Sequence, residues 1–385
     1  MKKIAILGGG ASALMCACFA CKNSKVVIYE KNDKIGKKIL ATGNGRCNLT
    51  NVNMGSFAYN NNIDNFLNRF SVGQTIEFFN SLGLETYADE EGRVYPLSNS
   101  AVSVLEVLKN YLEMQANVEF KTGCEVVAIK RNDSSFKIEF ASGAQENFES
   151  VVVALGNYAN LNMFEQFGIT AKQFKPCLSA LKCKVDRVLA GVRVGGVKVC
   201  CKFEDGEFCE TGEVLFRQDG VSGIVVFNLS SFLARRGICK QTISIDLLPH
   251  MSYDKLKRNL LNRKNKLQAY KAEEFLTGFF HRSLNHVLIK NAKIKADTKV
   301  SNISYFQIDT LCDIIKNFEL NIDGFLDNNQ VCHGGVNIKD LTVNLESKKH
   351  KGLYFIGEVV NVDGVCGGYN LQWAWTSGQI VGKLL

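Results

Sequence analysis

Apolar and polar residues follow different rhythms along this chain. Residues 4–7 and 26–29 are short unbroken apolar runs, the pattern of strands buried on both faces. The stretch 14–21 between them is apolar and compatible with a helix. Residues 101–115 place Val104, Leu105, Leu108 and Leu112 on one helical face. The spacing also predicts helices over 63–70 and 72–82, a hairpin over 87–95, and strands over 118–120, 124–129 and 136–140. A further apolar run, within 149–157, predicts a buried strand ending in a turn at Gly156. The rhythm changes from about Lys182. Residues 192–203 and 208–216 alternate like small antiparallel strands, and 242–248 reads as another strand. Helices are predicted over 253–262, 273–280, 281–291 and 303–317. After residue 330 the first pattern returns, with a strand near 353–356 and a final small-residue helix.

These rhythms predict an α/β fold: a doubly wound, Rossmann-like domain built from 1–181 and 330–385, with an insert over 182–329. The insert divides into a β-barrel part, about 182–250, and a helical part, about 251–329. The turn after the first strand reads Gly8-Gly9-Gly10-Ala11-Ser12-Ala13, a G-x-G-x-x-A pattern opening a helix. Gly8 makes the tight turn, Gly10 leaves room for a pyrophosphate, and Ala13 is small where helix meets strand. The helix N-terminus presents free N–H groups and the positive end of its dipole. Glu30 ends the second strand 20 residues beyond Gly10, where an acid meets ribose hydroxyls. That acid argues against a 2′-phosphate. A glycine turn in some other α/β unit would leave Glu30 without a purpose.

A polar, glycine-rich stretch follows from Lys31 through Lys38 to Asn51, too long for a simple turn. It contains Thr42, Gly43, Gly45, Arg46, Cys47 and Asn48: small residues for close backbone approach, amides and hydroxyls, and an Arg suited to phosphate. The run Ala41-Thr42-Gly43-Asn44-Gly45-Arg46-Cys47-Asn48 resembles the signature of the HI0933-like flavoprotein family, the group of BaiN-type and aminoacetone-oxidase-type FAD enzymes. Arg93-Val94-Tyr95-Pro96 resembles its R-x-[FY]-P element, and Gly334-Gly335-Val336 its GGV element. A second long signature is similar too, from Gly357-Glu358 through Asp363, Gly367-Gly368-Tyr369-Asn370-Leu371 to Ser377-Gly378.

The resemblance implies FAD. The polar loop would wrap the pyrophosphate and approach the ring, and the last helix would aim its N-terminus at the flavin pyrimidine edge. Val126 and Val127 would offer backbone contacts to adenine. Ala154 and Gly156 stand where relatives show A-T-G-G; here Leu155 replaces the Thr, which leaves the backbone approach of Gly156 and removes a hydroxyl. Asn361 stands where many relatives carry Asp.

The 385 residues, 46% of them hydrophobic and 22% charged, fit globular domains with ample core, and no run of about 18 apolar residues predicts a membrane span. A strand within the first seven residues predicts no leader peptide and a cytoplasmic protein. The 14 cysteines then read as reduced. Cys16, Cys18 and Cys21 read as core residues, with no metal expected, and Cys200 and Cys201 as pointing to opposite faces of a strand. Cys47 is a candidate proton donor, with Arg46 beside it favouring thiolate; Cys366, before a helix N-terminus, is a second. His281, His286 and His333 are possible acids or bases that nothing in the sequence brings to the ring. No second GxGxxG and no redox C-x-x-x-x-C follow the first domain, so NAD(P)H, as electron donor, would bind transiently.

Family members reduce activated carbon–carbon double bonds, and one branch is linked to dihydrouridine in ribosomal RNA. The resemblance therefore implies an FAD-dependent, NAD(P)H-driven C=C reductase acting on a small molecule or RNA. The alternatives are an amine oxidase using oxygen and a partner-fed flavin protein. A net charge of +8, with Lys255, Lys257, Arg258, Arg263, Lys264 and Lys266 in the insert, permits an anionic partner or simply a solvated helix face. Oligomeric state stays open.

Overall fold

Lys2–Leu7 (β1) becomes a central strand because Ile4 to Leu7 are apolar on both faces, and all four are fully buried. The computed structural model describes residues 1–326 and 331–385. Around β1 run the helix Ala11–Ala20 (α1) and the strands Ser24–Tyr29 (β2), Val118–Lys121 (β3), Ser150–Val153 (β4) and Leu353–Phe355 (β5). All pairings are parallel, in the order β3-β2-β1-β4-β5. The order reverses between β1 and β4, the switch point at which doubly wound sheets open a crevice. The chain ends in the helix Tyr369–Leu384 (α2).

The chain divides into two compact units, Met1–Lys175 with Asn329–Leu385, and Pro176–Asn328. The first break falls after Lys175, earlier than the expected border at 181/182. The return border at 329/330, with Gln330, lies outside the described residues. Each unit has its own core. The second is built on a closed barrel of six strands: Leu181–Cys183, Arg193–Phe203, Gly206–Phe216, Gly220–Ser222, Lys240–Asp246 and Phe318–Phe325. Helices Ile224–Arg236, Tyr253–Lys266, Arg282–Asn291 and Tyr305–Lys316 accompany it.

Three expectations need correcting. The helix over 273–280 is one short 3-10 turn, Ala272–Glu274, after which the chain doubles back through a Thr277–Phe280 bridge. The helix over 63–70 shrinks to Asp64–Leu67. The cysteines are not all reduced: Cys200 and Cys209, directly opposite in the register of their hairpin with Cα atoms 4.3 Å apart, form a disulfide. Cys201 points the other way and is buried. Cys16, Cys18 and Cys21 are buried in the core, and no group of three metal-ligating side chains occurs among the described residues. No helix among them is long and apolar enough to cross a membrane.

In the first unit α1 and α2 pack unusually closely. A Cβ on Gly378 would stand 2.5 Å from the Ser12 carbonyl oxygen, and one on Gly382 would stand 2.4 Å from that of Cys16. Four residues on one helix match four on the other, so the helices run parallel. Ser377 lies opposite the start of α1, and Tyr369 is eight residues before it. At 1.5 Å per residue, the N-terminus of α2 reaches roughly 12 Å beyond that of α1.

Candidate active site

The crevice opens where β1 and β4 end. Gly8 takes φ 107°, and a Cβ there would lie 2.4 Å from the Ala154 carbonyl oxygen, so glycine is demanded by both conformation and space. At Gly10 a Cβ would meet nothing within 4 Å: the space over it is open. Gly10 caps α1 without a side-chain hydrogen bond, which leaves the helix N-terminus with Ala11, Ser12 and Ala13 available to an anion. Glu30 stands at the end of β2 as expected. Its Oε2 accepts from the Gly9 N–H at 2.8 Å, and its Oε1 accepts from the Asn32 N–H at 2.8 Å. The Glu30 carbonyl accepts from the Cys124 N–H at 2.9 Å, which brings the strand start at Val126 and half-exposed Val127 to the same edge.

The polar loop is held by backbone turns rather than by regular structure. Gly43, Asn44, Gly45 and Cys47 all have positive φ. Thr42 Oγ1 donates to the Ile39 carbonyl at 2.6 Å. Lys38 pairs with Glu358 and donates to Asn157 Oδ1 at 3.2 Å. Lys31 Nζ sits 4.3 Å from the Tyr158 ring centroid, so a half-exposed aromatic and two lysines border the nucleotide end. Gly156 takes φ 63° beside the Glu358 carboxylate. A Cβ on Gly357 would stand 2.4 Å from Ser12 Oγ, and the Gly357 N–H donates to Ser377 Oγ at 2.9 Å.

At the other end lies the start of α2. A Cβ on Gly368 would stand 2.4 Å from the Thr50 carbonyl oxygen, and no side chain caps the helix. The Asn48 amide, in the orientation that satisfies both its ends, bridges the Thr50 carbonyl and the Gly368 N–H. Asn51 Nδ2 donates to the Gly367 carbonyl at 3.0 Å. Asn370 folds back on its own loop, accepting from the Gly364 N–H and donating to the Gly364 carbonyl, each at 2.9 Å. Tyr369 is buried edge-on against Tyr59, and Leu371 packs on the core, so both brace the helix start. Half-buried Cys366 precedes the two glycines.

A family model described as the HI0933-like protein Rossmann domain matches residues 2–384. The chain belongs to the HI0933-like family. It is 36% identical over 409 residues to the 3-dehydro-bile acid delta(4,6)-reductase of Clostridium scindens, covering 100% of this chain and 98% of that relative. It is 28% identical over 399 residues to the ribosomal RNA dihydrouridine synthase of Escherichia coli, covering 97% and 95%. Among solved structures it is similar to a 3-ketosteroid-delta4-(5alpha)-dehydrogenase from Rhodococcus jostii, at 12% identity and TM-score 0.49, with 99% and 96% covered.

As a member of this family the protein is an FAD-dependent oxidoreductase. The crevice fits that cofactor: an open space over Gly10, an uncapped helix end and a carboxylate after β2 are what a dinucleotide requires. The expected thiolate at Cys47 is corrected. Cys47 is fully buried, and burial pushes its thiol up to about 11. Arg46 turns away from it and stacks on the Tyr95 ring at 4.7 Å. His281 caps Arg282–Asn291 in the second unit, accepting from the Ser283 N–H at 3.2 Å, and His286 lies on the same helix. His333, which sequence left unplaced, pairs with Asp363 across thirty residues; no spacing rule signals that contact.

Proposed function

We propose that this protein reduces a carbon–carbon double bond conjugated to a carbonyl in a small molecule, with NAD(P)H as electron donor. The observation that carries the reading is the full-length similarity to a reductase of 3-dehydro-bile acids, whose chemistry is that bond. Bound FAD would take the hydride equivalent from the nicotinamide and pass it to carbon. The pyrophosphate would be held by Gly8, Gly10 and the N–H groups of Ala11 to Ala13, and the ribose by Glu30. Lys31, Lys38, Thr42, Gly43, Gly45, Arg46 and Asn48 would wrap it, with Val126, Val127, Ala154, Gly156, Gly357 and Glu358 closing the walls. Asp363, Gly367, Gly368 and the start of α2 would meet the ring, where the positive helix end favours the negative charge of reduced flavin. Cys366 would border the ring at that helix start; Cys47 supports the loop from within.

A second reading takes ribosomal RNA as substrate. Two relatives carry that name, and in the second unit Tyr305 and Phe306 are strongly exposed with Lys264 5.0 Å from the Tyr305 ring, aromatic faces beside a cation that would suit base stacking. The test is an anaerobic titration with NADH and NADPH, followed by a conjugated dienone bile acid or by unmodified ribosomal RNA. Bleaching of the flavin and recovery of colour with the dienone supports the first reading. Recovery only with RNA supports the second. A flavin that neither nucleotide reduces sinks the choice of donor.

A further inference from the structure

His333 stands on the strand Val331–Val336, and its Nδ1 lies 2.7 Å from Oδ1 of Asp363. Asp363 is 2% exposed. Its backbone is fixed by Asn60, whose N–H donates to the Asp363 carbonyl at 3.0 Å and whose Oδ1 accepts from the Asp363 N–H at 3.1 Å. Asn60 Nδ2 donates to Asn361 Oδ1 at 3.2 Å and lies 3.5 Å from His333 Nδ1. With the Asp363 carboxyl oxygen as the acceptor of this contact, Nδ1 carries the shared hydrogen. His333 Nε2 has no hydrogen-bond partner among the described residues, and the side chain is 12% exposed, so this nitrogen is the one left for a ligand.

One contact and one chain connection tie the pair to the crevice walls. The Cys332 N–H donates to Glu358 Oε1 at 2.8 Å, which fixes the strand beside the Gly357–Glu358 turn. Asp363 opens the segment that reaches the uncapped start of α2 at Gly368. The pair is thus tied both to the Gly357–Glu358 turn and to the segment that leads to the start of α2.

We infer that His333 is the proton donor of the reduction and that Asp363 is its positioning carboxylate; the inference rests on the reductase reading above. A hydride equivalent, drawn from the reduced nicotinamide through the flavin, forms the new C–H bond at the β-carbon. The electron pair of the double bond moves toward the carbonyl as an enolate. The Nε2–H bond of the imidazolium then breaks, and its proton forms the second C–H bond at the α-carbon. The neutral imidazole left behind regains a proton from water. Asp363 stabilises the imidazolium and fixes which nitrogen faces the substrate.

The test uses FAD-loaded parent protein and the variants His333→Gln, His333→Phe and Asp363→Ala. Each is reduced with dithionite, so that the nucleotide donor plays no part, and mixed with cyclohexenone or a conjugated dienone bile acid. A positioned general acid contributes about 100- to 10,000-fold, so reoxidation of both His333 variants should slow by that range while FAD stoichiometry stays at the parent value. Nitrogen NMR of the FAD-free protein is the independent readout: the Nδ1–H signature of His333 should be present in the parent and lost in Asp363→Ala. Reoxidation of the His333 variants within about threefold of the parent would overturn the inference, as would an imidazole signal indifferent to Asp363. If the parent itself is not reoxidised by either acceptor, the reductase reading fails and takes the inference with it.

Discussion

Gly8 and Gly10 lie two residues apart and are needed for different reasons. Gly8→Ala would hold a strained φ and collide with the Ala154 carbonyl, so it should cost about 2–4 kcal/mol in chemical denaturation of the FAD-free protein. Gly10→Val meets open space, so the FAD-free protein should melt as the parent does. Its FAD affinity, read by flavin fluorescence, should fall at least about 100-fold, roughly 2.7 kcal/mol. Equal effects on folding in the two variants would contradict this division. Cys47 gives a pH prediction. Its thiol ionises near 9.0 when unfolded and near 11 when folded, so the folded state holds the proton longer. That contribution is complete below pH 9 and is lost as pH rises toward 11, by roughly 2–3 kcal/mol. Denaturation of Cys47→Ala should show a correspondingly shallower loss over that window than the parent. The polar loop was legible because its residue types are unusual together. The burial of Cys47 was not, because Arg46 as sequence neighbour says nothing about where the guanidinium turns.

Elements built from local rhythm read well: β1, α1, β2 and the long barrel hairpin fall within a few residues of expectation. The barrel's closing strand Phe318–Phe325 was passed over, although its residues alternate buried and exposed from Phe318 to Asp323. The signal was present as a period of two, directly behind the period of a helix. The 273–280 stretch failed in the opposite way: Phe275, Leu276, Phe279 and Phe280 have helical spacing, but Gly278 lets the chain turn back. Contact between α1 and α2 could not be read, because it joins residues about 366 apart through the absence of side chains at Gly378 and Gly382. Gly378→Leu should therefore separate the two helices and lower both stability, by about 3 kcal/mol or more, and FAD affinity. A variant that keeps both would refute close packing as the cause. The Cys200–Cys209 disulfide closes a loop of only nine residues' separation, so its reduction should lower the stability of the second unit by at most about 2–3 kcal/mol. Thiol titration of the denatured chain before and after reduction should differ by two.

The second unit is a continuous piece with its own core, whereas the first is assembled from two separated segments. Expressed alone, residues 176–328 should give one cooperative thermal transition and no bound flavin; a chain without cooperative melting would count against an autonomous unit. During synthesis the consequence is an inverted order. β1 is made before the barrel, but β4 follows at Ser150 and β5 only at Leu353, so the sheet and Tyr369–Leu384 are completed after the barrel. The later-coded barrel has all its strands by Phe325, so it can finish folding while the earlier-coded sheet is still waiting. Cofactor capture then follows the folding of the barrel. A nascent chain halted before its final helix should carry a folded barrel and no flavin.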